Sequence, residues 1–200
     1  MTAPLHAPAA ERNKQPILDA LLRLLPASGR ALEIASGTGQ HIAHFDAGMP
    51  GWNWLASDPD PQALASIRAW WPAGAAPLQL DLLDVADWPL PSSHRQRLDA
   101  IFSANMLHIS PWATCAALMQ GAARQLLLGG HLIVYGPFIV PGEPTADSNI
   151  AFDADLRRRD PAWGLRSLTD VTAQAYAAGL SLHERITMPA NNLLLVFSQP

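Results

Sequence analysis

A single cysteine, Cys115, excludes intramolecular disulfides and cysteine-built zinc sites. The chain has no apolar run of ~18 residues and no basic leader followed by an apolar stretch, so it is expected to be soluble, cytoplasmic and without a membrane partner. Its longest basic segment is Arg157-Arg158-Arg159 and its net charge is −4, which argues against a large electrostatic nucleic-acid footprint. Charged residues make up 15% of the chain against 49% hydrophobic, a balance of a packed globular protein. No Gly-Lys-Ser/Thr occurs, so a P-loop is absent. His44, His94 and His183 share no ligand-like spacing with carboxylates, and no metal site is expected. There is no internal repeat, and a homo-oligomer is compatible with the sequence.

What is present centres on Arg30 to His41. The apolar run Ala31 to Ala35 breaks into Ser36-Gly37-Thr38-Gly39, which reads as a buried strand, a tight turn and the start of a helix. Gly37 and Gly39 have no Cβ, so a ligand can lie against bare backbone there. The following helix N-terminus offers unpaired N–H groups to an anion. Glu33 sits inside the apolar run, where a carboxylate is costly without a partner.

The remaining pattern alternates strands and helices. A helix follows Pro16, with Ile17, Leu18, Leu21, Leu22 and Leu25 on one face. Residues 53–57 form a second strand, and Asp58 follows it, 19 positions beyond Gly39, near the roughly 20-residue spacing of a ribose-binding acid. The competing role for Asp58 is a helix cap, for which Asp60 is better placed. A third strand, residues 77–80, ends at Asp81-Leu82, suited to an adenine pocket. Residues 83–97 read as a loop holding Trp88. A fourth strand, residues 98–103, leads to Asn105, Met106 and His108. A helix over 112–127 and a fifth strand over 131–135 follow. Residues 180–188 and 193–198 form a closing antiparallel hairpin around Asn191-Asn192. The expected fold is α/β: a Rossmann-like doubly wound, seven-stranded, mostly parallel sheet with one antiparallel strand in a C-terminal hairpin. The Ala/Pro-rich residues 1–10 read as a flexible tail, and residues 11–200 as one domain. The Pro/Gly-rich segment at about 137–166 reads as a lid insertion.

The ordered series Glu33, Gly37, Gly39, Asp58, Asp81 and Asn105 resembles the class I S-adenosylmethionine-dependent methyltransferases. Glu11 to Ile17, Tyr135 to Phe138, Ser148-Asn149, Phe152-Asp153, Leu156-Arg157, Arg159 to Gly164 and Met188 to Asn192 resemble the methyltransferase-like protein 26 family, across nearly the whole chain. The resemblance implies S-adenosylmethionine as cofactor, with Gly37 and Gly39 under its methionine moiety, Ser36 in the same turn, and Asp58 on the ribose. It also implies Asp81 and Leu82 at adenine, Asn105 at the methionine amine through its carbonyl, and Arg12 and Asn13 at the methionine carboxylate. Glu33 would orient the glycine turn through backbone N–H groups. The implied reaction is in-line methyl transfer to a small-molecule oxygen, nitrogen or sulfur; the alternative is a non-catalytic cofactor-binding or regulatory protein. His108 is the first choice of general base, against a capping or surface histidine, with Tyr135 and Asp153 as further catalytic candidates. Met106, Asn149, Asn191 and Asn192 are candidates for binding the substrate, although turns also favour Asn.

Overall fold

In the computed structural model, which describes residues 3–84 and 87–199, the central strand is β1 (Gly29–Ile34). It pairs in parallel with β2 (Trp52–Asp58) on one side and β4 (Leu98–Ala104) on the other, placing Leu32 between Leu55 and Ile101. β3 (Leu78–Gln79) joins outside β2, and β5 (Leu126–Gly136) joins outside β4. β9 (Asn192–Ser198) runs antiparallel to β5 and to its hairpin partner β8 (Ser181–Met188), giving the order β3-β2-β1-β4-β5-β9-β8. This is the expected seven-stranded α/β sheet with one reversed strand.

A parallel sheet needs cover on both faces. One face packs against α1 (Pro8–Leu24), α2 (Gln40–Gly48) and α3 (Pro61–Trp70), through Ile17, Leu21, Ile42, Phe45, Ile67 and Phe102. The opposite face packs against α4 (Ala113–Gln125) and α6 (Leu168–Ala177), through Leu118, Ala122, Leu132 and Val171. Trp88 is also buried in this second layer. A Cβ on Gly121 would stand 2.1 Å from the Trp88 indole, so α4 accepts that ring only because position 121 has no side chain. Burying such a ring contributes about 1.5–3 kcal/mol. Val85 and Ala86, within the expected 83–97 loop, lie outside the described residues.

Two boundaries and one helix face differ from expectation. Helix α1 begins at Pro8, inside the segment read as a flexible tail. The residues ahead of it are tied down: Leu5 N–H donates to Ser66 Oγ at 2.8 Å, and Trp70 Nε1–H donates to the Leu5 carbonyl at 2.7 Å. Composition reports no such long-range bonds; Met1 and Thr2 lie outside the described residues, as does Pro200 at the end of the expected domain. Leu22 is exposed, and Ala20 takes a place in the buried stripe of α1 instead. β5 begins at Leu126, inside the span expected for the preceding helix and ahead of the strand expected over 131–135.

The segment after β5 forms short β6 (Phe138–Ile139), which pairs in parallel with β7 (Arg166–Ser167). Between them lies α5 (Asp147–Arg159), within the expected insertion. Because β9 runs backwards, its first residues stand at the same sheet edge as the last residues of β1, β2, β4 and β5. That reversal brings Asn191 and Asn192 to the edge carrying the glycine turn. No helix among the described residues is long and apolar enough to cross a membrane.

Candidate functional site

The turn after β1 has left-handed backbone at Ala35 (φ 54°), Gly37 (φ 56°) and Gly39 (φ 90°). At Gly39 a Cβ would meet the Ile67 Cα at 2.7 Å, so glycine lets α2 start against α3. At Gly37 a Cβ would meet nothing within 4 Å, leaving that face of the backbone open to a ligand. Ser36 is buried and donates its N–H to the Ser57 carbonyl at 2.9 Å.

Asp58, at the end of β2, accepts from Gly37 N–H through Oδ2 at 2.8 Å and from Asp60 N–H through Oδ1 at 3.0 Å. Asp60 caps α3 by accepting from Gln62 N–H at 2.8 Å. The helix cap is therefore Asp60, and Asp58 holds the glycine turn. Burial raises the Asp58 pKa, while the two N–H donors oppose that rise. Each carboxylate oxygen accepts more than one bond, so Asp58 retains acceptor capacity.

Glu33 is arranged differently from expectation. Its buried carboxyl accepts from no backbone N–H: Oε2 has no partner among the described residues, and Oε1 lies 3.8 Å from His41 Nδ1. The turn is held by the Glu33 main-chain carbonyl, which accepts from Ser57 Oγ–H at 2.9 Å and Ser36 Oγ–H at 3.4 Å. Burial pushes the carboxyl pKa up to about 8, opposed by Ser36 and reinforced by Asp58, so Glu33 is protonated at neutral pH.

His41 and Gln40 were not singled out from sequence, although Gln-His directly after Gly-Thr-Gly opens the helix. His41 Nε2 lies 2.7 Å from Asn13 Oδ1, and burial lowers the imidazole pKa to about 4. A neutral imidazole donating from Nε2 fits this contact. Burial raises the pKa of the Tyr135 phenol, and the Asn13 side chain opposes that rise. Gln40 accepts from Ala7 N–H at 2.6 Å and donates to Glu11 at 2.9 Å, binding the N-terminal residues across the start of α2.

A cavity of about 860 Å³ opens at this sheet edge. Seven candidates from sequence line it: Arg12, Asn13, Asn105, Tyr135, Asn149, Asn191 and Asn192. Asn105 has left-handed backbone (φ 60°), and its carbonyl accepts from His108 N–H at 3.2 Å. Asn149 Nδ2–H donates to the Asn191 carbonyl at 2.9 Å, fastening α5 to the 189–191 turn. Asn192 donates to the Pro189 carbonyl at 3.0 Å, a turn-stabilising bond. Phe152 and Leu156 on α5, with Ile109, add apolar wall to which the sequence assigned no role, and Arg159 from the basic segment at the end of α5 adds a guanidinium.

The other ten candidates do not line the cavity; among them Glu33, Ser36, Gly37, Gly39 and Asp58 belong to β1, the glycine turn and the end of β2. His108 is buried with both ring nitrogens unpartnered among the described residues, and its ring meets Phe138 edge-on at 5.0 Å. A Cβ at Gly136 would come within 2.4 Å of His108 Nε2, so that glycine makes room for the imidazole. Burial lowers the His108 pKa to about 4. Asp153 spends its oxygens on Leu165 N–H at 2.6 Å and Arg157 Nε–H at 2.9 Å, closing the end of the insertion. Met106 is packed in the core. Asp81 and Leu82 lie outside the cavity too: Asp81 is exposed and accepts from Leu83 N–H at 2.9 Å, and Leu82 is buried.

The sequence matches a family model over residues 5–199, nearly its whole length. The chain belongs to the DUF938 family, described as a protein of unknown function. Solved structures with a similar fold include the mitomycin 7-O-methyltransferase MmcR, at 15% identity and a TM-score of 0.78, covering 96% of this chain and 54% of that one. Human N-acetylserotonin methyltransferase in complex with SAM aligns at 15% identity and a TM-score of 0.76, over 96% and 52% of the two chains. PigF with SAH aligns at 17% identity and a TM-score of 0.77, over 94% and 56%. The DUF938 chain spans about half the length of these structures. At such identities the likeness establishes a methyltransferase-type Rossmann-like fold.

Proposed function

We propose that this protein is an S-adenosylmethionine-dependent methyltransferase acting on a small molecule, of the methyltransferase-like protein 26 type. The observation that carries this reading is the pairing of an open glycine turn with a buried carboxylate at the next strand end. Gly37 leaves its backbone face bare, and Asp58 stands beside it with acceptor capacity left. This suits a nucleoside whose ribose hydroxyls donate and whose amino-acid tail follows the turn. Three solved structures of similar fold hold SAM or SAH, which supports the choice of cofactor.

Ser36, Gly37, Gly39 and Asp58 would hold the nucleoside, Asp81 and Leu82 its base, and Arg12, Asn13 and the Asn105 carbonyl its amino-acid end. Glu33 would act behind the turn, as a buried neutral acid beside His41. The cofactor would supply a sulfonium methyl group open to in-line attack. The chain's own contribution is positioning, which accounts for much of the acceleration in such displacements. Asn149, Asn191 and Asn192 orient polar groups of the acceptor, and Ile109, Phe152 and Leu156 exclude water from it. Among groups considered for proton removal, only Tyr135 lines the cavity, and burial holds its proton more firmly.

That no carboxylate, imidazole or amine able to take up a proton lines the cavity among the described residues favours a second reading, a cofactor-binding protein without catalysis. Calorimetric titration with S-adenosylmethionine and S-adenosylhomocysteine tests the first reading. Binding of both, weakened in Asp58→Ala, is expected; no binding of either would reject it. Transfer of labelled methyl to pooled alcohols, amines, thiols and carboxylates separates enzyme from binder. A soluble protein of the cytoplasm fits this chemistry.

A further inference from the structure

The walls of the 860 Å³ cavity include two arginines, Arg12 and Arg159, and no Asp, Glu, His, Lys or Cys. Arg12 has no hydrogen bond or ion pair among the described residues. Arg159 meets Asp155 at 2.7 Å, but Asp155 is shared with Arg158, so the end of α5 keeps positive charge. Asparagine amides and the Ser148 hydroxyl supply further donors, and Ile109, Phe152 and Leu156 supply apolar surface. The volume suits a small organic molecule.

This combination attracts anions and offers nothing to deprotonate a neutral acceptor. A guanidinium matches a carboxylate in two parallel hydrogen bonds. We propose that the methyl acceptor is a small amphipathic carboxylate, methylated on its own ionised oxygen, with Arg159 holding the anion in the cavity. This rests on the methyltransferase reading above. In the step, a carboxylate lone pair forms the new O–CH₃ bond while the S–CH₃ bond breaks and its electron pair returns to sulfur. The products are a neutral methyl ester and a neutral thioether, and no proton moves.

Titratable groups around the cavity fit a reaction without a base. Tyr135 from β5 faces it with a raised pKa; His41 from α2, behind Asn13, and His108, behind Asn105, both titrate near pH 4. Arg12 from α1 and Arg159 from α5 bring guanidinium groups to the same wall.

The test pairs 3-phenylpropionate with its neutral analogue 3-phenylpropan-1-ol. Calorimetry on the protein without cofactor at pH 7 is expected to show the acid binding at least about tenfold more tightly than the alcohol. Arg159→Gln is expected to weaken the acid about tenfold and leave the alcohol unchanged, whereas a structural role would weaken both. Asp155→Asn, which releases Arg159, is expected to tighten the acid about two- to fivefold. With labelled S-adenosylmethionine, methyl ester should form at a rate flat between about pH 6 and 9. Equal binding of acid and alcohol, or preferred methylation of the alcohol with a rate rising with pH, would overturn the proposal. If acid binding is selective but calorimetry finds no S-adenosylmethionine binding, the methyltransferase reading fails and the transfer step falls with it. If S-adenosylmethionine binds and the acid does not, only the carboxylate assignment falls.

Discussion

The Asp58 carboxylate accepts the Gly37 N–H at 2.8 Å, so the end of β2 holds the turn that follows β1. The two residues are 21 apart in sequence and meet because β1 and β2 pair in parallel register. Through this bond, a group suited to ligand recognition also shapes the backbone against which the ligand would lie.

Asp58→Ala leaves the Gly37 and Asp60 N–H groups without their carboxylate. Bonds to charged acceptors contribute about 1.5–3 kcal/mol, so unfolding stability is expected to fall by about that much. S-adenosylmethionine affinity should drop by at least about tenfold, because the ribose acceptor goes too. Urea unfolding and calorimetry measure the two effects, and wild-type affinity in the variant would contradict the assignment.

Ala35 has left-handed backbone at φ 54°, which costs an L-residue roughly 1–2 kcal/mol. Ala35→Gly removes that strain and adds back about 0.4–1 kcal/mol of unfolded-chain entropy. The variant is expected to be more stable by about 0.5–1 kcal/mol, with Tm up by about 2 °C. A lowered Tm in thermal melting would count against the strain.

Gly121→Ala tests the packing of Trp88 on α4. Helix propensity alone would favour alanine by about 1 kcal/mol. The new Cβ would stand 2.1 Å from the buried indole, so overpacking of about 1–3 kcal/mol is expected to outweigh propensity. Chemical denaturation should show a net loss, and a more stable variant would mean the indole shifts freely.

The buried pair Glu33 and His41 gives opposite pH slopes. The Glu33 carboxyl has a folded-state pKa of about 8, above its unfolded value, so the folded state binds the extra proton and stability falls as pH rises toward 8. His41 has a folded-state pKa of about 4, below its unfolded value, so stability rises with pH between about 4 and 6.5. Above about pH 6.5 only the Glu33 contribution remains, and the loss up to pH 8 is expected to be about 2 kcal/mol. Glu33→Gln should flatten that window. Urea midpoints at pH 6.5, 7.2 and 8 decide it, and an unchanged slope in the variant would refute the assignment to Glu33.

The amino-acid sequence by itself determined the alternation of strands and helices, the glycine turn, and the carboxylates at the ends of β2 and β3. These features are local: side-chain period sets the element, and left-handed turns select glycine. Tertiary structure decided where side chains from distant segments point. His108 ends the single helical turn Met106–His108, and its ring packs against Phe138 and Gly136 instead of facing the cavity. Asp153 was a further catalytic candidate for taking up a proton, yet its oxygens bind Leu165 and Arg157, partners set by the path of the chain through α5 and β7. Arg159 belongs to the longest basic segment of the chain, and only the packing of α5 across the sheet edge brings it to the cavity wall. The residues before Pro8 fall in the Ala/Pro-rich segment expected to be a flexible tail, but the bonds made by Leu5 and Ala7 reach Ser66, Trp70 and Gln40. Local preference selects elements, and long-range hydrogen bonds, which no sequence window contains, decide which of their side chains meet.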